Sequence, residues 1–295
     1  MTETELFTVV GIRPEPSVPE KKIRRCEGFP WVSAILLAAI LLCCLFAEII
    51  MTKDPSHLDL KNFNIAPNAE FLFGTDTLGR DIFSGIWYGG RISIMIGFLA
   101  TGISTFIAVV YGSISGVAPV WLDALMMRFS EIFLSVPGLL LVLFLQALLG
   151  DANVATLSIV IGLTSWGGIA KVIRTEVRQI RGSEYVVASR CMGGSFAHIL
   201  SKHLAPNFIA SIMFMVVMNV RGAIVMESTL SFMGMGLPLE IISWGSMLSL
   251  AEKALLTDSW WIILIPGAFL VTLLMCLTNI GNYLRKSANR KERNL

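Results

Sequence analysis

The sequence predicts an all-α membrane protein, a bundle of six transmembrane helices with both termini in the cytoplasm. Three observations carry that reading. Only 15% of the 295 residues are charged and 55% are hydrophobic, with a mean hydropathy of +0.72. A soluble globule of this size has too little polar surface to cover so much apolar material, and soluble domains carry roughly 25% charge. Six apolar segments, 31–50, 92–116, 129–149, 154–172, 207–226 and 259–280, each approach the about 20 residues a helix needs to cross the hydrocarbon. Finally, a cytoplasmic N-terminus places 17 of the 23 Lys and Arg residues on inside segments and 6 outside, the asymmetry that the positive-inside rule expects.

The elements follow in order. Residues 1–30 form a polar cytoplasmic segment ending in Lys21-Lys22-Ile23-Arg24-Arg25. The run after them is twenty residues long, longer than the apolar region of a secretory signal, and Ala47-Glu48-Ile49 is a poor cleavage site, so a retained first span is expected. With its outer loop (51–91), this span makes a first unit, 31–91. Residues 92–284 hold the other five spans as a transmembrane core, including a cytoplasmic loop at 173–206 and an outer loop at 227–258. Residues 285–295 form a basic cytoplasmic tail. Backbone amides in lipid must be satisfied within the segment, and these runs are too long and continuous for barrel strands, so they are helices. Gly97, Gly102, Gly112 and Gly116 in the second span are expected to allow close helix approach.

Composition also excludes functions. A formal net charge of +2 provides no basic field for nucleic acid, and no polar segment interleaves basic and aromatic residues. The five cysteines form no C-x-x-C pair, and His57, His198 and His203 are scattered, so no disulfide framework or metal cluster is indicated. No Gly-x(4)-Gly-Lys-Ser/Thr phosphate loop occurs, so this chain is not expected to bind a cofactor or hydrolyse nucleotide. Nor do the spans hold paired carboxylates or a Ser/His pair suited to intramembrane catalysis.

The cytoplasmic loop is the richest in signals. Glu184 opens a short helix at the positive end of its dipole and shares a face with Ala188. Arg190 follows, Gly193-Gly194 break the helix, and Ser195 caps a second helix expected to end near Pro206. Such a helix pair, with His203 near its end, suits docking into another protein's groove; a solvated loop of positive-inside residues is the alternative. On the outer side, Asp76, Arg80 and Asp81 either ion-pair to shape a docking surface or stabilise a Gly-rich turn locally. Arg221 and Glu227, around the outer end of span five, either line a path or reach the interface. Trp260-Trp261 reads as an interfacial aromatic belt.

Beyond these local readings, the combination resembles a known family. Glu184-x-x-x-Ala188-x(4)-Gly193, followed by Ile199, His203 and Pro206-Asn207, is similar to the cytoplasmic coupling loop of ABC-importer permeases. Gly74-Thr75-Asp76-Thr77-Leu78-Gly79-Arg80-Asp81, with Ser84, Gly89, Arg91 and Ser93, resembles the C-type subunit of dipeptide, oligopeptide and nickel permeases. Further similarities are Trp121-Leu122-Asp123, Met127-Arg128, Glu227, Leu230-Ser231-Phe232 and Trp244-Gly245. Departures include Phe73, Glu131, Ser189, Asn282 and Lys286. The resemblance implies the type I importer permease fold. It also implies one half of a translocation pathway for peptides delivered by an extracytoplasmic binding protein, in a bacterial or archaeal cytoplasmic membrane. Nickel or another metal complex is the alternative cargo, and a self-contained secondary transporter is the alternative class. Implied partners are a homologous B-type permease subunit and two ATP-binding-cassette ATPases that hold ATP and Mg. The resemblance assigns Glu184, Ala188, Arg190, Gly193, Ser195 and His203 to ATPase coupling, and Arg221, Glu227 and Ser231 are candidates for the pathway.

Overall fold

The computed structural model describes residues 28–150, 152–250, 254 and 258–292. The expected N-terminal cytoplasmic segment, apart from residues 28–30, lies outside them. Every regular element among the described residues is helical: α1 (Trp31–Leu45), α2 (Ala47–Ile50), α3 (Ile82–Val117), α4 (Val120–Ser135), α5 (Gly138–Leu149), α6 (Val154–Thr164), α7 (Gly167–Ile180), α8 (Glu184–Cys191), α9 (Phe196–Ile199), α10 (Ala205–Phe232), α11 (Trp244–Ser249) and α12 (Trp261–Glu292). A single 3-10 turn, Leu60–Asn62, and a π-turn, Leu200–Leu204, complete the set.

Among the described residues, three helices are long and apolar enough to cross a membrane: Ile82–Val117, Ser211–Phe232 and Trp261–Ser287. Two of the expected straight spans are bent pairs instead. The 129–149 run is divided into α4 and α5 at an angle of 91°. Val136 precedes Pro137 and is extended at ψ 131°, as the proline ring requires of its predecessor, so the helix cannot pass through. The 154–172 run divides into α6 and α7 at 47°, after Ser165 leaves helical geometry. The first span is also shorter than expected, because α1 ends at Leu45 and a one-residue turn at Phe46 separates it from α2.

Other boundaries move outward. Helix α3 starts at Ile82 rather than 92, because Asp81 caps it, accepting from the Ser84 backbone N–H at 3.0 Å. Its 36 residues span about 54 Å, more than the hydrocarbon needs. Helix α10 runs on to Phe232, so Glu227 and Ser231 are helical rather than part of the outer loop. Helix α12 continues to Glu292, through most of the expected basic tail. Pro206 does not end a helix. The π-turn joins α9 to α10, with the Ala205 N–H donating to the Leu200 carbonyl, and Pro206 sits in the first turn, where a missing N–H costs least.

Helix α3 is the central post, packed against α6, α7 and α10, while α10 also packs on α12. Without a strong hydrophobic drive between apolar surfaces in lipid, close backbone approach provides the contacts. A Cβ on Gly112 would lie 2.6 Å from the Ala170 carbonyl oxygen, and one on Gly116 would lie 2.6 Å from Val177. Gly97 likewise fits beneath Ile224, at 2.7 Å. Gly102 differs from the expectation: its Cβ would meet nothing within 4 Å.

Candidate functional site

Polar groups concentrate at two ends of this bundle: a turn end, built from residues 52–84 and 233–261, and a loop end, built from residues 111–128 and 170–204. Between them, in the middle of α10, lies Arg221.

At the turn end, residues 74–81 fold as a compact local unit with a bridge between Thr75 and Asp81. Gly74 and Gly79 have φ of +77° and +75°, conformations that L side chains rarely adopt. A Cβ on Gly79 would sit 1.8 Å from the Asp59 carbonyl oxygen. Asp76 Oδ1 accepts from the Leu78 and Arg80 backbone N–H groups, both at 2.8 Å. Burial pushes the Asp76 carboxyl above its ordinary value, opposed by those two N–H groups and the Arg80 charge. Thr75 Oγ1 donates to the Asn62 carbonyl at 2.6 Å, and its own carbonyl accepts from Trp261 Nε1 at 3.1 Å. Asp81 Oδ2 accepts from Ser84 Oγ (2.6 Å) and Thr52 Oγ1 (3.1 Å). Asp76, Arg80 and Asp81 form the locally stabilised turn that is one of the two expectations for them. Arg80 pairs with neither aspartate and donates instead to the Leu239 carbonyl at 2.9 Å. Trp261 is 8% exposed and locked to this turn, so only its neighbour Trp260, 57% exposed, suits an interfacial belt.

Glu227 is fully buried beneath the same end. Four serine hydroxyls donate to its carboxylate: Ser243 (2.7 Å), Ser93 (3.0 Å), Ser231 (3.0 Å) and Ser228 (3.3 Å). They come from α3, α10 and the turn before α11, so one side chain ties three segments together. Trp244 is packed beside it, with its backbone N–H donating to Ser93 Oγ and its Nε1 to the Ile86 carbonyl. Glu227 and Ser231 therefore brace the interior of this end, and Ser231 also borders a cavity of about 780 Å³ beside Phe232, Gly236 and Leu239. The sequence patterns include Glu227, Ser93 and Ser231 but not Ser228 or Ser243, since single hydroxyls carry no spacing signal.

At the loop end, α7 leads into the α8–α9 hairpin. Gly193, at φ +84°, ends α8, and the Gly194 N–H returns to the Ser189 carbonyl at 2.9 Å, closing the helix as a left-handed C-terminal residue allows. Ser195 Oγ accepts from the His198 N–H at 3.3 Å, which is the capping expected of it. Val186, Ile199 and Leu204 are buried against Ile173 and Val177 of α7. The opposite side is exposed: Glu184, Ala188, Val187 and Met192, the last with 82% of its surface free. Glu184 and Ala188 thus share an outward face, as their spacing implies. The side chains of Arg190 and His203 lie outside the described ones.

An ion cluster anchors this end, and no sequence signal beyond the family pattern pointed to it. Asp123, 3% exposed, accepts from Arg174 Nε and Nη2 at 2.5 Å each and from Ser115 Oγ at 2.6 Å. Arg178 Nη1 stands 3.3 Å from the same carboxylate, and Arg181 Nη1 donates to the Gly116 carbonyl at 3.0 Å. A bidentate guanidinium–carboxylate pair fixes orientation as well as distance. Helices α3, α4 and α7 are therefore joined just where α7 enters the exposed hairpin.

Residues 108–290, which include the ion cluster and the hairpin, match the family described as binding-protein-dependent transport system inner membrane component. The chain belongs to this family. Among similar proteins, the oligopeptide transport system permease protein OppC of Bacillus subtilis (strain 168) is 36% identical over 269 residues, covering 91% of this chain and 88% of the relative. The dipeptide transport system permease protein DppC of the same organism is 37% identical over 230 residues, covering 78% and 72%. OppC of Haemophilus influenzae is 35% identical over 263 residues, covering 88% and 84%. The chain is thus a multi-pass permease subunit. The turn at 74–81 precedes the matched family segment, whereas the loop end lies wholly inside it.

Proposed function

We propose that this permease forms one membrane-spanning half of an ATP-driven importer for dipeptides or oligopeptides. The names of the relatives support the cargo class. The observation that carries the mechanism is the loop end: an exposed, capped hairpin seated on α7, which the Asp123–Arg174 pair locks to α3 and α4. A force applied to the face of Glu184 and Ala188 would reach three helices through that joint. Such a lever is what a chain without a nucleotide site needs in order to use a partner's hydrolysis.

In this reading the partners are a homologous B-type permease, two ATP-binding-cassette ATPases that hold ATP and Mg, and an extracytoplasmic binding protein. Glu184, Ala188, Arg190, Gly193, Ser195 and His203 meet an ATPase, and the braced turn of residues 74–81 lies on the binding-protein side. The chain crosses a bacterial or archaeal cytoplasmic membrane six times, with α1, α3, α10, α12 and the two bent pairs as the crossings and both termini inside. The distribution of Lys and Arg supports that orientation. Alternating access would then be a bistable rearrangement of the bundle biased from both faces. The chain's family supports this over a self-contained secondary transporter.

The test is reconstitution of the assembled complex with its binding protein in proteoliposomes. ATP-dependent uptake of a labelled tripeptide, with none of nickel, is expected. Nickel uptake without peptide uptake would overturn the cargo assignment, and gradient-driven flux through this chain alone would overturn the class.

A further inference from the structure

Arg221 is, with Glu227, one of the two ionisable residues of the membrane-length helix α10, and the structure changes its depth. With span five ending at 226 it belongs to the outer edge. Because the helix continues to Phe232, Arg221 is the eleventh residue of the twenty-two in the membrane-length segment Ser211–Phe232, about 15 Å from either end. A cation there costs several kcal/mol if it faces lipid, and it persists where it meets protein or water.

Its surroundings are half-built. Among the described residues its one hydrogen bond runs from Nη1 to Thr278 Oγ1 at 3.2 Å, and its Nε is buried without an acceptor. No carboxylate pairs with it within the described chain. It borders a cavity of about 380 Å³ between α10 and α12, whose wall includes Val271, Leu274, Met275, Thr278 and Asn279. Met275 and Val271 are 62% and 48% exposed, and Gly222 beside Arg221 has open space where a side chain would be. The face therefore combines one under-satisfied guanidinium, a neutral hydroxyl and amide, and an apolar wall. An anion with an apolar body complements it.

We propose that Arg221 is a carboxylate-binding site on the translocation surface, receiving the C-terminal carboxylate of a peptide while the apolar wall accepts its side chains. The inference rests on the peptide-importer reading and adds a residue and a chemical group to it. One charge-assisted contact would also be weak enough to release cargo. A carboxylate of the neighbouring permease subunit is the competing partner for the same guanidinium.

The experiment uses the complete complex in proteoliposomes, with trialanine and trialanine amide each supplied at a concentration that saturates the binding protein. Wild type is expected to take up the free acid faster than the amide. Arg221→Gln should lower uptake of the acid by about tenfold and abolish the preference, with amide uptake and binding-protein-stimulated ATP hydrolysis unchanged. Arg221→Lys should retain part of the preference. Equal acid preference in wild type and Arg221→Gln overturns the site while leaving the importer reading intact. Loss of co-purification of the two permease subunits in Arg221→Gln also overturns it, in favour of the inter-subunit pair. Absence of any ATP-dependent peptide uptake by wild type removes the importer reading and this site with it.

Discussion

The turn end and the loop end of this permease are built on opposite plans. At the turn end, polar side chains are spent on the chain itself: Asp76, Asp81 and Glu227 each accept from N–H or hydroxyl donors of the chain, and Trp244 and Trp261 are pinned by their indole nitrogens. At the loop end, α8 and α9 present Glu184, Val187, Ala188 and Met192 outward and hold to the bundle through a narrow apolar seam. The difference separates stability from transmission. Substitutions at the turn end should damage folding, and those on the hairpin face should leave folding intact and damage transport.

The steepest expected loss is at Gly79. Alanine there would place a methyl group 1.8 Å from the Asp59 carbonyl at a φ of +75°, so both the steric clash and the backbone conformation oppose it. Gly79→Ala should sharply reduce the yield of folded protein in detergent, measured by size-exclusion chromatography with fluorescence. Normal yield would show that the turn is not the rigid element described.

Asp123→Ala comes next, because it leaves Arg174 partly buried without its counter-charge. A loss of about 3–5 kcal/mol is typical of a broken buried pair, reduced here by the partial exposure of Arg174. The thermal midpoint should fall substantially, and transport should be impaired further because α7 loses its joint to α3 and α4. A double exchange, Asp123→Arg with Arg174→Asp, tests whether the pair rather than either residue matters.

Glu227 sharpens the turn-end half of the comparison. Glu227→Leu strands four serine hydroxyls and should destabilise by about 1–3 kcal/mol, whereas Glu227→Gln keeps an acceptor and should cost less. Equal melting of the two variants would contradict the brace. The smallest effect belongs to Asp76. Its folded carboxyl lies above its unfolded value, so its contribution is complete below the unfolded value of about pH 4 and is lost as pH rises through the folded one. Asp76→Asn retains the Oδ1 acceptor and should flatten that part of the pH–stability curve, read as thermal midpoint against pH.

How much of this was legible in the sequence follows from the range of the interactions. Apolar run length indicates membrane-length helices, and short-range signals such as Ser195 and Gly193 place their caps correctly. Contacts between residues far apart in the chain leave no such trace. Ser93 and Ser243 are 150 positions apart and meet only through Glu227, and Asp123 finds Arg174 across 51 residues. Continuous hydropathy likewise hides the break at Val136-Pro137, because a bend of 91° leaves the run equally apolar on both sides. Arg221 shows the same limit: its depth depends on where α10 ends, and apolar count alone stopped that helix six residues early.

The central claim is that the hairpin face transmits force without contributing to the fold. Glu184→Lys in the assembled complex tests it most directly, with uptake, ATP hydrolysis and thermal midpoint measured on one preparation. The account predicts an unchanged midpoint, continued hydrolysis and peptide uptake near background. Wild-type ATP-dependent uptake by that variant would contradict it.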